Sequence, residues 1–341
     1  MGSGRKKKVL ILHNFVTPYR LPIFEELSKF VDLEVLFCKI SPKNRNWKKK
    51  ELDLYNFKYS ILDSFNIRTI IINYSLPIIL IRKKVDIIII GENPDNVFAT
   101  FCCWIISKLK KVKIILWSEE IDTIFFYKKT GSIYFHYFLR FYRRLLFNKT
   151  DYFLAYSKTA FQYLKRFNLK SKKYFTGIQI MPYCLLEKRK KIIEKDDFIN
   201  IICLAHLTQI KGVDILIKAY LNLNIESKNT RLLIGGEGPQ KQYLMTLTND
   251  RSDIIFLGHI NKFQKSNFYS NGDIFVLPTL HDAWGLVINE AIYYELPIIT
   301  TTAAGAAELI KMGKNGFIVP PNKIDALKNK LDILIKNESL R

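Results

Sequence analysis

A chain of 341 residues with 48% hydrophobic content is too long for one ordinary core and fits two domains of roughly 150 residues each. Its formal net charge of +22 sits almost wholly in one half: residues 1–180 hold 33 Lys and Arg against 14 Asp and Glu, and residues 181–341 hold 20 against 17. Such a field draws an anionic partner, nucleic acid or a membrane surface, while apolar runs such as Ile87-Ile88-Ile89-Ile90 stop well short of the roughly 18–20 residues of a transmembrane helix.

The basic start, Arg5-Lys6-Lys7-Lys8, precedes an apolar run from Val9 to Leu12 that is too short for a signal peptide, so a cytoplasmic location is expected. Cys38, Cys102, Cys103, Cys184 and Cys203 lack Cys-x-x-Cys spacing and lie in or beside apolar runs, the pattern of reduced core thiols rather than of disulfides or zinc.

In chain order, Val9 to His13 reads as a strand, Asn14 to Arg20 as a loop, and Pro22 as the first turn of a helix through Phe30. Strand signals recur at Leu33 to Phe37, Val85 to Ile90 and Val112 to Trp117, with helices at Asp95 to Leu109 and Tyr134 to Phe147. Leu154 to Ser157 reads as the last strand before a helix from Lys158 to Phe167, and Tyr174 to Tyr183 as a passage to the second half. Continuous rather than alternating apolar runs mark strands covered on both faces, as in a parallel sheet. The half thus expected is residues 1–180, followed by a charged linker over 181–197.

The second half, 198–341, restarts with a strand at Phe198 to Leu204, a helix at Val213 to Leu221, and strands at Arg231 to Ile234, Asp253 to Leu257, Ile274 to Leu277, Ile298 to Thr302 and Phe317 to Val319. The fold class expected is therefore α/β, two Rossmann-like doubly wound parallel-sheet domains facing a central cleft. Ligands in such sheets bind at the carboxyl ends of strands.

The loops at those ends carry the chemistry. Lys211 before Gly212 can set an ammonium against phosphate, and the Gly235-Gly236 turn admits close backbone approach. Gly285-Leu286-Val287 opens a helix whose first N–H groups are free for a diphosphate. Glu290, one turn in, can accept from paired ribose hydroxyls, and Asp282, eight residues earlier, can hold donor-sugar hydroxyls. Singly, each of these has an ordinary explanation as turn chemistry, a helix cap or a solvated acid. As an ordered series they describe a nucleotide-sugar pocket.

The series Lys211-Gly212, Gly235-Gly236-Glu237-Gly238-Pro239, Phe256-Leu257-Gly258, Pro278, Gly285-Leu286-Val287, Glu290-Ala291, Gly305-x-x-Glu308 and Gly313-x-x-Gly316 resembles family 4 retaining glycosyltransferases of the GT-B fold (glycosyl transferases group 1). Pro18-Tyr19-Arg20-Leu21-Pro22-Ile23-Phe24 resembles a subgroup that modifies cell-surface glycans. The resemblance implies a hexosyltransferase-type enzyme with a nucleotide-diphosphate sugar in the second domain, an acceptor in the first, and no cofactor or obligatory metal. It implies that Lys211 offsets charge on the leaving diphosphate, that Glu290 holds ribose, and that Gly258, His259 and Ile260 meet the base mainly through backbone. The chain departs from the family pattern in three places. Asp282 stands where the family has glutamate, His206 stands where an arginine precedes the Lys-Gly pair, and Ser118-Glu119-Glu120 replace a donor-sugar histidine. His206 joins Lys211, Asp282 and Glu290 as a candidate catalytic residue. His13, Arg20, Glu119, Glu120 and His281 are candidates for acceptor or sugar contact; for His13 packing, and for Glu119 and Glu120 a helix-start role, are the alternatives. By the same resemblance the chain ends without the final helix that crosses back to the first domain.

The stretch from Phe125 to Lys149 holds six Lys and Arg, no acid and closely spaced aromatics. Such a helix can lie in a bilayer interface or pack on its own sheet with a basic edge. The partners expected are thus a nucleotide sugar, a lipid-linked glycan and, through the basic first domain, an anionic membrane surface at the inner face of the cell membrane. A GT-B-like epimerase or a sugar phosphorylase is the nearer alternative. A nucleic-acid-binding protein is the remote one, since it leaves the glycine and carboxylate series idle and the sequence has no recognisable nucleic-acid module.

Overall fold

The computed structural model describes residues 5–41, 49–67, 70–119, 133–167, 173–177, 180–181, 198–223 and 230–341. The linker expected over 181–197 falls outside these apart from Met181, as do Glu120 and Cys184. The chain forms two compact units, Met1–Ile178 and Gln179–Arg341, each a parallel sheet with helices on both faces.

In the first unit the elements are β1 Lys8–Phe15, α1 Leu21–Phe30, β2 Asp32–Lys39, β3 Lys58–Ile61, a hairpin of β4 Phe65–Ile67 and β5 Ile70–Ile72, α2 Leu76–Arg82, β6 Ile87–Gly91, α3 Val97–Lys110, β7 Lys113–Ser118, α4 Ile133–Lys149, β8 Tyr152–Ala155, α5 Lys158–Lys165 and β9 Lys173–Thr176. The sheet order is β3-β2-β1-β6-β7-β8-β9, parallel throughout. On central β1, Val9 and Ile11 pack with Leu21 and Phe24 of α1, while Leu10 and Leu12 join the core formed with α2, α3, α4 and α5. Both faces of the strand are dry, which is why its apolar run is unbroken. Pro22 lies in the first turn of α1 and Ser157 caps α5, its Oγ accepting from the Ala160 N–H at 3.0 Å.

The strand at Leu154 is the last before its helix, but the passage expected over Tyr174 to Tyr183 begins within a strand, because β9 pairs along the outer edge of β8. Most of β9 is exposed and it is held by main-chain pairing, so side-chain periodicity gives it little signal. The short β3, the hairpin and the seven-residue α2 were likewise below the length at which periodicity speaks.

The second unit runs β10 Ile199–Leu204, α6 Val213–Leu221, β11 Thr230–Gly235, α7 Lys241–Thr246, β12 Ile254–Gly258, α8 Lys262–Ser270, β13 Ile274–Leu277, α9 Leu286–Tyr293, β14 Ile298–Thr301, β15 Gly316–Val319 and α10 Ile324–Lys336. Its order is β12-β11-β10-β13-β14-β15. Strand order reverses between β1 and β6 in one unit and between β10 and β13 in the other, and these switch points open crevices at the strands' carboxyl ends.

Cys38, Cys102, Cys103 and Cys203 are buried free thiols, and burial pushes Cys38 up to about 12, so they are inert core groups. Among the described residues no helix is long and apolar enough to cross a membrane.

Candidate active site

In the second unit three loops at the switch point are laced together by main chain. After β10 the Leu207 N–H donates to the Glu237 carbonyl at 2.9 Å, and the Ile210 carbonyl accepts from the Leu280 N–H at 2.8 Å and the Thr279 hydroxyl at 3.0 Å. The glycines permit this approach. A Cβ on Gly236, whose φ is +130°, would lie 1.8 Å from the Ala205 carbonyl oxygen, and one on Gly212 (φ +64°) would lie 2.4 Å from that of Pro278. Both glycines therefore have a job inside the protein, bringing loop against loop, besides any they have toward a ligand.

That lacing sets Lys211, at the end of the β10 loop, against Asp282, in the loop after β13. Lys211 Nζ is 2.5 Å from Asp282 Oδ2, with both side chains about one-fifth exposed. Asp282 is fixed at its backbone, where its N–H donates to the Ala303 carbonyl at 2.9 Å and its carbonyl accepts from the Gly305 N–H at 3.0 Å. Three residues on, Gly285 takes a φ of +90° and begins α9 with no side chain capping the first turn. The Leu286 and Val287 amides are helix-start N–H groups, partly positive and oriented to meet an anion.

Glu290, 6% exposed, points from α9 toward α8. Its Oε1 pairs with Lys265 Nζ at 2.5 Å and its Oε2 accepts from the Tyr269 hydroxyl at 2.7 Å. Burial first, and the Glu290 charge second, push the Tyr269 phenol well above its usual range, so it remains a donor. Sequence reasoning missed Lys265 and Tyr269, because α8 (Lys-Phe-Gln-Lys-Ser-Asn-Phe-Tyr-Ser) has weak apolar periodicity. The reciprocal cap of Asn261 and Gln264 at its start was the available signal.

His206 is exposed, and its Nδ1 donates to the Glu237 carbonyl at 2.7 Å. His259 is exposed, and Ile260 packs near Gly235, where a Cβ would meet it at 2.8 Å. His281 stands beside Asp282, with its N–H 3.3 Å from Thr279 Oγ1.

In the first unit a cavity opens at the carboxyl ends of β1, β6 and β7, and His13, Arg20 and Glu119 all line it. His13 is largely buried, in edge contact with Phe24 and Phe37 at 5.5 and 6.1 Å, and its Nδ1 donates to the Phe15 carbonyl at 2.9 Å. Burial, then the nearby Arg20 charge, lower its pKa to about 3. His13 is thus a neutral wall of the cavity as well as a packed ring. Arg20 is 3% exposed, its guanidinium 4.4 Å from the Trp117 ring centroid and 4.3 Å from that of Tyr156.

Residues 186–341 match the family model described as glycosyl transferases group 1. An uncharacterized glycosyltransferase of Methanocaldococcus jannaschii is 30% identical over 156 residues, 45% of this chain and 40% of that protein. The capsular polysaccharide biosynthesis glycosyltransferase CapM of Staphylococcus aureus is 30% identical over 175 residues, 48% and 45% of the two chains. The matches thus span less than half the length of these curated relatives. Over nearly the whole chain the fold is that of solved GT-B glycosyltransferases. Anabaena HepE in complex with UDP and glucose superposes with a TM-score of 0.74 at 16% identity, covering 98% of this chain and 91% of that one. The lipopolysaccharide outer core galactosyltransferase WaaB superposes with a TM-score of 0.69 at 18% identity, covering 97% and 91%.

Proposed function

We propose, from the match of residues 186–341 to the glycosyl transferases group 1 model, that this chain is a retaining hexosyltransferase of polysaccharide or lipopolysaccharide assembly, taking a nucleotide-diphosphate sugar as donor and a lipid-linked glycan as acceptor. The observation that carries the reading is the Lys211–Asp282 pair next to the uncapped start of α9, a cation and oriented amides where a diphosphate would lie. In the second unit Lys211 and the Leu286 and Val287 amides stabilise the departing diphosphate, an interaction that strengthens as the sugar–phosphate bond breaks. Asp282 holds sugar hydroxyls and Glu290 holds ribose, exchanging its bond to Lys265 for bonds to the ribose. The acceptor oxygen attacks the anomeric carbon on the face the diphosphate leaves, and its proton passes to the leaving phosphate oxygen. His206, hydrogen-bonded at Nδ1, presents its other ring nitrogen as a further candidate partner. Since a lysine and amides offset the charge, the reaction needs no metal.

The exposed side of α4 supports a membrane partner. Tyr137, Phe141 and Leu145 are each more than half exposed at helical spacing, with Arg140 and Arg144 exposed beside them, the composition of a helix lying on anionic lipid. A cytoplasmic protein bound at the inner face of the cell membrane fits this reading.

The test has two steps. Thermal melts with UDP, GDP, ADP and their sugars should show a shift with one nucleotide series. That donor, incubated with membrane glycolipid in excess EDTA, should then give a product whose anomeric proton keeps the donor's configuration. An inverted product would end the retaining assignment, acceptor-free release of an epimerised sugar would favour an epimerase, and demand for inorganic phosphate a phosphorylase.

A further inference from the structure

The Arg20 side chain is an expensive thing to bury. A guanidinium carries five N–H donors and stays charged, and a buried charge is normally paired. Arg20 is 3% exposed, yet among the described residues its side chain makes no hydrogen bond and no ion pair. Its neighbours are aromatic faces, Trp117 and Tyr156 at 4.4 and 4.3 Å from ring centroid to guanidinium carbon. Aromatic rings supply no strong hydrogen-bond acceptor, so the N–H donors of the guanidinium remain to be met, and the fork they form matches an oxyanion bidentately. Burial lowers the Arg20 pKa from its ordinary value, and the charges of Tyr19 and then Glu119, which line the same cavity, oppose that lowering, but Glu119 forms no ion pair with it.

Two further residues that line this cavity carry unmet polar atoms. Thr17 Oγ1 and Asn96 Oδ1 are buried and have no hydrogen-bond partner. Unmet groups of this kind in a native interior call for an explanation, and a hydroxyl and an amide suit the hydroxyls of a sugar. Neutral His13 forms part of the wall and adds no competing charge.

We propose that this cavity at the carboxyl ends of β1, β6 and β7 is the acceptor subsite for an acidic sugar, a polyhydroxylated ring bearing a carboxylate or phosphate, with Arg20 receiving the oxyanion and Thr17 and Asn96 receiving hydroxyls. The word acceptor rests on the transferase reading above; the binding of an acidic sugar does not, and can be measured without donor.

The full chain is titrated with glucuronate, glucose 1-phosphate, glucose and sodium sulfate, following tryptophan fluorescence because Trp117 abuts Arg20. Glucuronate or glucose 1-phosphate should bind at least tenfold more tightly than glucose, and whichever is preferred names the anion. Arg20→Lys, which keeps a cation but loses the fork, should erase that preference, and Asn96→Ala should weaken both acids. Binding of the nucleotide selected in the melts serves as the control for a folded chain: no binding of UDP, GDP or ADP by the unaltered protein would count against the transferase reading and not against this subsite. Four results would overturn the proposal: glucose binding as well as the acids; sulfate binding as well as both, which would mean an adventitious ion only; Arg20→Lys behaving as the parent; or that nucleotide at saturation displacing glucuronate, which would assign Arg20 to the donor.

Discussion

Lys211 Nζ lies 2.5 Å from Asp282 Oδ2, so a cation suited to a leaving diphosphate is held in advance by a carboxylate suited to sugar hydroxyls. The sequence reading gave the two residues separate tasks; the fold makes them one device. On the proposed mechanism Lys211→Ala removes the charge that meets the leaving group and should lower kcat/KM about 10²- to 10³-fold. Because the pair is partly exposed, it contributes at most about 1 kcal/mol to stability, and the melting temperature should barely move. Asp282→Asn frees the ammonium and, on the proposed reading, loses a sugar contact, so KM for the donor sugar should rise while affinity for the nucleotide itself holds. Near-parental turnover by Lys211→Ala, measured with the donor found in the melts, would remove this residue from the mechanism.

Glu290 is set apart from that pair by its partners on α8. Glu290→Gln keeps the shape but weakens charge-assisted hydrogen bonds, each worth about 1.5–3 kcal/mol, and nucleotide affinity should fall about tenfold or more by calorimetry. Tyr269→Phe leaves Glu290 Oε2 short of a donor in a buried place, so it should cost about 1–3 kcal/mol of stability with a smaller effect on nucleotide binding. The reverse order of effects would make Glu290 a structural acid only.

Much of this was legible in the sequence. The long strands and α6 were readable because central strands of a doubly wound sheet are dry on both sides, as at Ile199–Leu204, where every residue is buried. The loop residues were readable because glycine and lone charges stand out at strand ends. What escaped is what depends on cross-chain geometry. Lys265 and Tyr269 reach Glu290 from a helix with little periodicity, and Gly236 owes its place to the Ala205 carbonyl. Arg143, counted among the cations of a surface helix, is buried against Glu92, because one side of an amphipathic helix cannot be assigned until its sheet is known.

His13 gives the first unit a pH dependence of definite sign. Its folded pKa of about 3 lies below its ordinary 6.5, so the unfolded chain takes up a proton below about pH 6.5 that the folded chain refuses until about pH 3. The associated stability is fully present above pH 6.5 and is lost as the pH falls toward 3. Between pH 7 and pH 5 the loss is about 2 kcal/mol by linkage. The groups around the ring are the Arg20 charge and the apolar Phe24 and Phe37. Urea titrations at pH 7 and pH 5 should show a smaller difference in His13→Gln than in the parent, and an equal difference would assign the pH dependence to other groups.

The buried pair at the base of α4 separates stability from surface charge in one helix. Glu92, just after β6, lies 3.6 Å from Arg143 Nε with both side chains about 3% exposed or less. Ser118, at the end of β7, donates to Glu92 Oε1, and Arg143 Nη1 donates to the Tyr163 hydroxyl at 3.1 Å. The pair thus pins α4 over the carboxyl ends of two strands. Arg143→Met removes the cation beside the buried Glu92 carboxylate and should cost about 3–5 kcal/mol, whereas the double change Glu92→Gln with Arg143→Met should recover much of that. Singles and double that merely add, in thermal melts, would show the two side chains to be uncoupled. Arg140 and Arg144 sit on the outer side, so changing both to Glu should leave the melting temperature nearly unaltered. That same change should abolish flotation with anionic liposomes, because polybasic attraction contributes about 1 kcal/mol per residue near the surface and charge reversal turns it into repulsion. Unchanged flotation would take the membrane away from α4, while the ion pair would still account for how that helix is held.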